Sequence, residues 1–92
     1  MIVYAEVEFM IQTAHSLKEK RAVLQRMISR TKQKFNVSIA EIDHQNVWQR
    51  TKLGIVAVSS SKDSAEREIN NALHFLQSYP AWDQLDVWRE YL

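Results

Sequence analysis

The 92-residue sequence predicts an α+β fold, with four antiparallel strands in one sheet and two helices on one face of it. Three observations predict this fold. Apolar and polar residues alternate near the N-terminus, two segments have apolar residues at helical spacing, and two β-branched segments stand between those helices. With a closing strand, the order β-α-β-β-α-β is that of the ferredoxin-like split β-α-β fold. We therefore expect residues 1–92 to form one domain with strand order 4-1-3-2.

The first strand is predicted over residues 2–11, where every second residue from Val3 to Ile11 is apolar. Ser16 and Glu19 then have the spacing of a capping box, which predicts a first helix from Leu17 to Lys34. The side chains predicted to face the core from this helix are Leu17, Leu24, Ile28, Thr31 and Phe35.

Two more strands are predicted in the middle of the chain, in "NVSIAEID" and in "TKLGIVAVS", which the connection "HQNVWQ" separates. Asp63 and Glu66 provide a second cap signal, and a second helix is predicted over residues 62–79, before Pro80. Its predicted core residues are Ala65, Ile69, Ala72, Leu73 and Leu76. The segment "QLDVWREYL" is predicted to form the fourth strand.

Two polar stretches, "HSLKEKR" and "DHQNVWQR", are predicted to meet at one edge of the sheet. In a ferredoxin-like order, the start of the first helix and the connection between strands two and three share that edge. The amides at the helix N-terminus also favour an anion there. The candidate binding residues at this edge are His15, Lys18, Arg21, His44, Trp48, Gln49 and Arg50.

Positive charge is concentrated in residues 18–52, which contain nine basic and three acidic residues. Such asymmetry indicates an anionic partner, although a solvated helix face is the alternative. A basic ridge at i, i+4 and i+8 of the first helix is formed by Arg26, Arg30 and Lys34. If RNA binds, we expect this helix and the hairpin edge to contact it, with Trp48 as the stacking group.

One cluster of residues, namely His15, Asp43 and His44, is a candidate for acid–base catalysis or metal binding. The cluster lacks the HxxxH ligand spacing, and hydrogen bonding of Asp43 and His44 to turn backbone is the simpler interpretation. No glycine-rich phosphate loop is present. We therefore assign no catalytic residue, no metal and no cofactor, and expect a protein that is not an enzyme.

The third strand is apolar on both sides, although helices can cover only one of them. Val56 and Val58 alternate with its core residues and would lie on the open side of the sheet. Residues that could extend this surface are Ile2, Tyr4, Met10 and Trp88. An exposed apolar sheet face favours self-association, which predicts a homo-oligomer joined through the sheet.

The segments "HSLKEKRAVLQRMI", "FNVSIAEIDHQNVWQR" and "LGIVAVSSSKDSAE" resemble those of the YlxP-like family, small bacterial proteins classed as a domain of unknown function. The resemblance covers most of residues 2–76. It implies a ferredoxin-like fold and a setting in translation-related operons of some bacteria, with no established activity.

Two functions remain as alternatives. The first is an RNA-associated or ribosome-associated factor, and the second is an oligomeric protein-interaction module with no nucleic-acid role. The chain has no cysteine, no leader pattern and no membrane-spanning run, so we expect a cytoplasmic protein with no membrane partner.

Overall fold

The computed structural model describes residues 1–92 and has the predicted order of elements. They are β1 (Ile2–Met10), α1 (Leu17–Lys34), β2 (Ser38–Asp43), β3 (Arg50–Val58), α2 (Lys62–Gln77) and β4 (Asp83–Tyr91). The four strands form one antiparallel sheet in the order β2-β3-β1-β4, which is the predicted order read from the other edge. The ferredoxin-like α+β fold is therefore confirmed.

The core lies between the helices and one face of the sheet. From β1, the alternate residues Val3, Ala5, Val7 and Phe9 are buried, because successive side chains of a strand point to opposite faces. All five residues predicted to face the core from α2 are buried. Trp82, which precedes β4, stacks on Phe9 at 4.3 Å between ring centroids, and its Nε1 donates to the carbonyl oxygen of Leu76 at 2.7 Å.

The buried side of α1 differs from the predicted one. Leu24 and Thr31 are buried as expected, but Leu17, Ile28 and Phe35 are only half-buried. The fully buried positions on this side of the helix also include Lys20 and Met27. A lysine is seldom buried without a partner, so the helix face was placed slightly wrongly from apolar residues alone.

The second cap also differs from the prediction. Ser61, rather than Asp63, is the N-cap of α2, and its Oγ accepts a hydrogen bond from the amide of Ser64 at 3.2 Å. Asp63 lies in the first turn, where its negative charge interacts favourably with the positive end of the helix dipole. Neither helix combines the length and the apolar character needed to cross a membrane.

The face of the sheet away from the helices is open. Its central residue pairs are Tyr4 with Val56, Glu6 with Gly54, and Glu8 with Lys52. The side chain of Tyr4 lies across Gly54. A Cβ atom at residue 54 would be only 3.0 Å from the Tyr4 hydroxyl oxygen. Glycine is therefore the residue that lets the tyrosine ring approach the backbone of β3.

Candidate functional site

The two stretches predicted to meet are joined by Lys20, on the first turns of α1. Its side chain is 1% exposed, and its Nζ donates to the carbonyl oxygens of His44 and Val47, the latter at 2.6 Å. The same Nζ lies 2.9 Å from Oε2 of Glu41. A buried ammonium ion is tolerated because these three acceptors replace its lost hydration. Lys20 therefore fixes the β2–β3 hairpin against α1.

Glu41 continues this network into the sheet. Its Oε2 also accepts a hydrogen bond from Oγ1 of the buried Thr51, at 2.6 Å. Both side chains point toward the helix face of the sheet, where β2 and β3 are neighbours. One carboxylate thus joins α1, β2 and β3, and the hairpin is positioned by charge as well as by backbone pairing.

His44 and Arg50, at the two ends of the hairpin connection, bind Glu8 of β1. His44 Nε2 lies 3.0 Å from Oε1 of Glu8, and Arg50 donates to Oε2 of the same carboxylate. These two hydrogen bonds hold the pKa of Glu8 below its ordinary value of 4.5. Arg50 therefore pairs with Glu8, and not with Asp43 across the hairpin.

The turn after β2 places these side chains. His44 has a φ of 64°, in the left-handed region, and its amide donates to Oδ1 of Asp43 at 2.7 Å. The side chain of Asp43 thus stabilises the turn that directs His44 to Glu8. This is the backbone role that the sequence suggested for Asp43. His15, Asp43 and His44 are not gathered around one point that a metal ion could occupy.

A shallow pocket of about 350 Å³ lies where α1 begins beside the hairpin. Its lining residues are His15, Ser16, Leu17, Asn46 and Trp48. The Trp48 side chain is 44% exposed and forms the apolar wall, so a planar group could stack on it. Gln49 joins the hairpin connection to the end of β1 through its backbone: its carbonyl oxygen accepts a hydrogen bond from the amide of Ile11 at 2.8 Å.

The N-terminus of α1 does not offer the anion site that its dipole suggested. Ser16 Oγ accepts from the amide of Glu19 at 3.1 Å, and Oε2 of Glu19 accepts from the amide of His15 at 2.7 Å. Ser16 is therefore the predicted N-cap, but the return hydrogen bond of Glu19 goes to the amide of His15, the residue before the cap, and not to that of Ser16 as in a standard capping box. An added anion at this position would meet the carboxylate of Glu19.

The outer surface of α1 carries most of the exposed positive charge. Six of its cations are exposed, namely Lys18, Arg21, Arg26, Arg30, Lys32 and Lys34. None of them takes part in the four ion pairs of the structure. Two members of the basic ridge contact aromatic residues on the α2 side: Arg26 Nη1 lies 3.4 Å from the Tyr79 hydroxyl, and Lys34 Nζ lies 4.8 Å from the Phe75 ring centroid.

The structure thus divides the seven candidate residues of the edge into separate environments, of which the backbone contact of Gln49 with Ile11 is one. His15 and Trp48 share the pocket, Lys18 and Arg21 are exposed on α1, and His44 and Arg50 bind Glu8. Sequence reasoning missed the acceptors Glu8 and Glu41, and it missed Lys20. The spacing of Lys20, Leu24, Met27 and Thr31 at i, i+4, i+7 and i+11 is the signal that could have placed the lysine on the buried face.

The fold and this site define a small ferredoxin-like α+β protein in which a buried lysine joins the first helix to the β2–β3 hairpin. The chain belongs to the family described as "Protein of unknown function (DUF503)", whose model matches residues 2–89. It is 55% identical over 80 residues to the "Uncharacterized protein YlxP" of Bacillus subtilis (strain 168), and the match covers 87% of each chain. The family resemblance found in the sequence is therefore confirmed.

Among solved structures, the chain is similar to the de novo designed protein Foldit4, with a TM-score of 0.62. The likeness covers 100% of this chain and 99% of the designed one, at 14% sequence identity. It supports the fold alone.

Proposed function

We propose that this protein binds RNA through the exposed cations of α1, as a cytoplasmic factor that is not an enzyme and that associates with structured or ribosomal RNA. The observation that carries the proposal is that all six of these cations lack an ion-pair partner. The only acidic residue of the helix is Glu19, whose carboxylate is engaged at the helix start. The helix therefore presents positive charge that no carboxylate of the protein neutralises.

The geometry of α1 suits a phosphate backbone. Its 18 residues extend over about 27 Å at 1.5 Å per residue. Cations four residues apart repel each other slightly, by about 0.2–0.5 kcal/mol per pair, and a bound phosphate would relieve this repulsion. Trp48 stands beside the start of the helix and supplies a face on which a base can stack.

The open face of the sheet is a poor alternative for RNA. It does carry two aromatic residues, Tyr4 and Trp88, which contact each other edge to face at 6.1 Å between ring centroids. However, Glu6 and Glu8 lie on the same face, next to Asp86 and Glu90 on β4. Phosphates approaching this face would be repelled, so the proposal places RNA on the helix side.

The test is the salt dependence of binding to a labelled structured RNA, measured by fluorescence anisotropy. Each phosphate that the protein neutralises should add about 0.7–0.9 to the slope of log affinity against log salt. Replacing Arg26 and Arg30 together by alanine should lower this slope by roughly 1.4–1.8, because two phosphate contacts are lost. The matched control removes two exposed cations of α2, with Lys62→Ala and Arg67→Ala, and should leave the slope nearly unchanged.

Trp48 gives a second readout that does not depend on charge. Trp48→Ala should weaken binding by about 1–3 kcal/mol with the slope unchanged, and Trp48→Phe should keep most of the affinity because it can still stack. If both double variants lower the slope equally, the binding reflects net charge alone and α1 is only a solvated helix face. Binding no tighter than that of an unrelated protein of similar charge would also overturn the proposal.

The second candidate function is an oligomeric interaction module. A groove in the open face of the sheet favours it, and this surface is independent of the cations of α1. The two functions are compatible, since they use opposite sides of the molecule.

A further inference from the structure

We propose that the open face of the sheet binds a second copy of this chain about a two-fold axis parallel to the strands, with Trp88 of each copy seated in a groove of the other. The groove has a volume of about 190 Å³. It is lined by Tyr4, Ser38, Ile39, Ala40, Ile42, Gly54 and Val56. Trp88 is 50% exposed on the same face, near the opposite edge of the sheet.

The register of the sheet places the groove and the tryptophan at one level. Trp88 pairs with Glu6, Glu6 pairs with Gly54, and Gly54 pairs with Ala40. These four residues therefore form one row across the sheet, from β4 to β2. A two-fold axis parallel to the strands, running between β1 and β3, places β4 of one copy over β2 of the other. Trp88 then lies over Ala40, where the small side chains leave room for it.

The central charges of the face agree with the same axis. Along the strands, one end of the face is apolar, with Tyr4 and Val56, and the other end is charged, with Glu8 and Lys52. Rotation about an axis parallel to the strands brings each end onto the same end of the other copy. It also exchanges β1 with β3, so that Lys52 of each copy lies over Glu8 of the other and opposite charges meet at the centre of this row. At the edges of the same row, Asp86 lies over Asp43, but both residues are exposed and solvent screens their repulsion.

The other two-fold arrangement is unfavourable. An axis across the strands, at the level of Glu6 and Gly54, would place Glu6 over Glu6 of the second copy. It would also place Lys52 over Val56, so that the ion pair of Lys52 with Glu6 would lose hydration and gain no charged partner across the interface. The distribution of side chains therefore selects the axis parallel to the strands.

The size of the face suits a weak, reversible dimer. Strands of nine, six, nine and nine residues, at about 3.4 Å per residue and 4.8 Å between strands, give a flat area of roughly 540 Å². Specific interfaces at the lower end of the usual size bury about 600 Å² per partner. We therefore expect association at micromolar concentration rather than an obligate dimer.

The first test measures mass by sedimentation equilibrium over a range of protein concentrations. The unaltered chain should pass from 10.8 kDa to twice that mass as its concentration rises. Trp88→Ala should raise the dimer dissociation constant at least about tenfold, as expected for a tryptophan that fills a groove of the partner. Trp48→Ala is the matched control, because it removes an equally large exposed tryptophan from the helix side, and it should change the dissociation constant by less than about twofold.

A second variant changes the groove and leaves Trp88 in place. It tests whether the effect of Trp88→Ala comes from the interface or from a structural change within β4. Ala40 is exposed, and Ala40→Lys should fill the groove and place a charge in it without touching the core. It should weaken the dimer as much as Trp88→Ala does, while circular dichroism shows that both variants remain folded.

The second test determines the axis by cross-linking, which is simple because the chain has no cysteine. Ser38 and Glu90 lie at one level on opposite edges of the sheet, about 14 Å apart within one copy. Under the proposed axis, Ser38 of one copy lies over Glu90 of the other, about 10 Å away across the two sheets. Two Ser38 positions would instead be about 17 Å apart.

A bis-maleimide reagent of about 10 Å should therefore join Ser38→Cys to Glu90→Cys in a mixture of the two single variants, and should join neither variant to itself. Cross-linking within each variant alone would overturn the axis. A mass of 10.8 kDa at several hundred micromolar, or equal effects of Trp88→Ala and Trp48→Ala, would overturn the dimer.

Discussion

Lys20→Met removes the buried ammonium ion that joins α1 to the hairpin and keeps most of the side-chain volume. The variant leaves the carbonyl oxygens of His44 and Val47 without this donor, and leaves Glu41 with only its hydrogen bond to Thr51. Removing one partner of a buried ion pair typically costs about 3–5 kcal/mol. Because the Glu41 side chain is 14% exposed and keeps some hydration, we expect a loss near the lower end, about 3 kcal/mol.

This loss should be large relative to the whole stability. A domain of this length is stable by about 5–14 kcal/mol, at 0.05–0.15 kcal/mol per residue. Urea unfolding followed by far-UV circular dichroism measures the difference, and the control is Lys18→Met, an exposed lysine two residues earlier, which should change stability by no more than about 0.5 kcal/mol. Replacing Glu41 by methionine as well should recover part of the loss, since no carboxylate then remains unpaired. A loss below about 1 kcal/mol for Lys20→Met, or one equal to that of Lys18→Met, would refute this account of the hairpin anchor.

Two further predictions concern the open face of the sheet. Because His44 and Arg50 lower the pKa of Glu8, its pairing stabilises the fold above the ordinary pKa of 4.5, and this contribution is lost as the pH falls through the lower folded value. Urea midpoints between pH 3 and 6 should therefore fall less steeply with acid for Glu8→Gln than for the unaltered chain, and equal slopes would contradict the prediction. Gly54→Ala should destabilise by about 1 kcal/mol, because crowding against Tyr4 outweighs the backbone advantage of alanine. The cost should fall in a Tyr4→Ala background, where only Ile42 Cγ2, at 3.1 Å, still crowds the added methyl group, and a double-mutant cycle with no coupling to Tyr4 would contradict the prediction.

The elements predicted from the sequence were those whose signals are local. Alternation along β1 and the apolar stripe of α2 both reflect burial of one face, which the chain records at fixed spacing. The two hydrogen bonds that cap α1, made by Ser16 and Glu19, likewise lie within the five residues from His15 to Glu19. Such patterns, together with the order of elements, were sufficient for the topology.

The contacts of the site were harder to predict because they join distant parts of the chain. Lys20 counted in the sequence only as one of nine basic residues, because a lysine is buried only where acceptors surround it, and its carbonyl acceptors lie 24 and 27 residues later. Similarly, the pairing of Arg50 with Glu8 depends on the register of β1 and β3 and spans 42 residues. His44 also adopts a left-handed backbone conformation, which turns the hairpin toward this carboxylate. No local sequence pattern predicts that conformation.

The basic residues of the first polar stretch therefore have two different roles. Within "HSLKEKR", Lys20 is internal and holds the hairpin, whereas Lys18 and Arg21 are exposed and free of ion pairs. A substitution at Lys20 should act on RNA binding only through folding and the position of Trp48, while one at an exposed cation acts directly on the charge of α1. Because the proposed dimer uses the opposite face, each copy would still present its own basic helix to solvent. Loss of RNA binding with the dimer retained, or of the dimer with RNA binding retained, is thus the outcome expected for variants confined to one side.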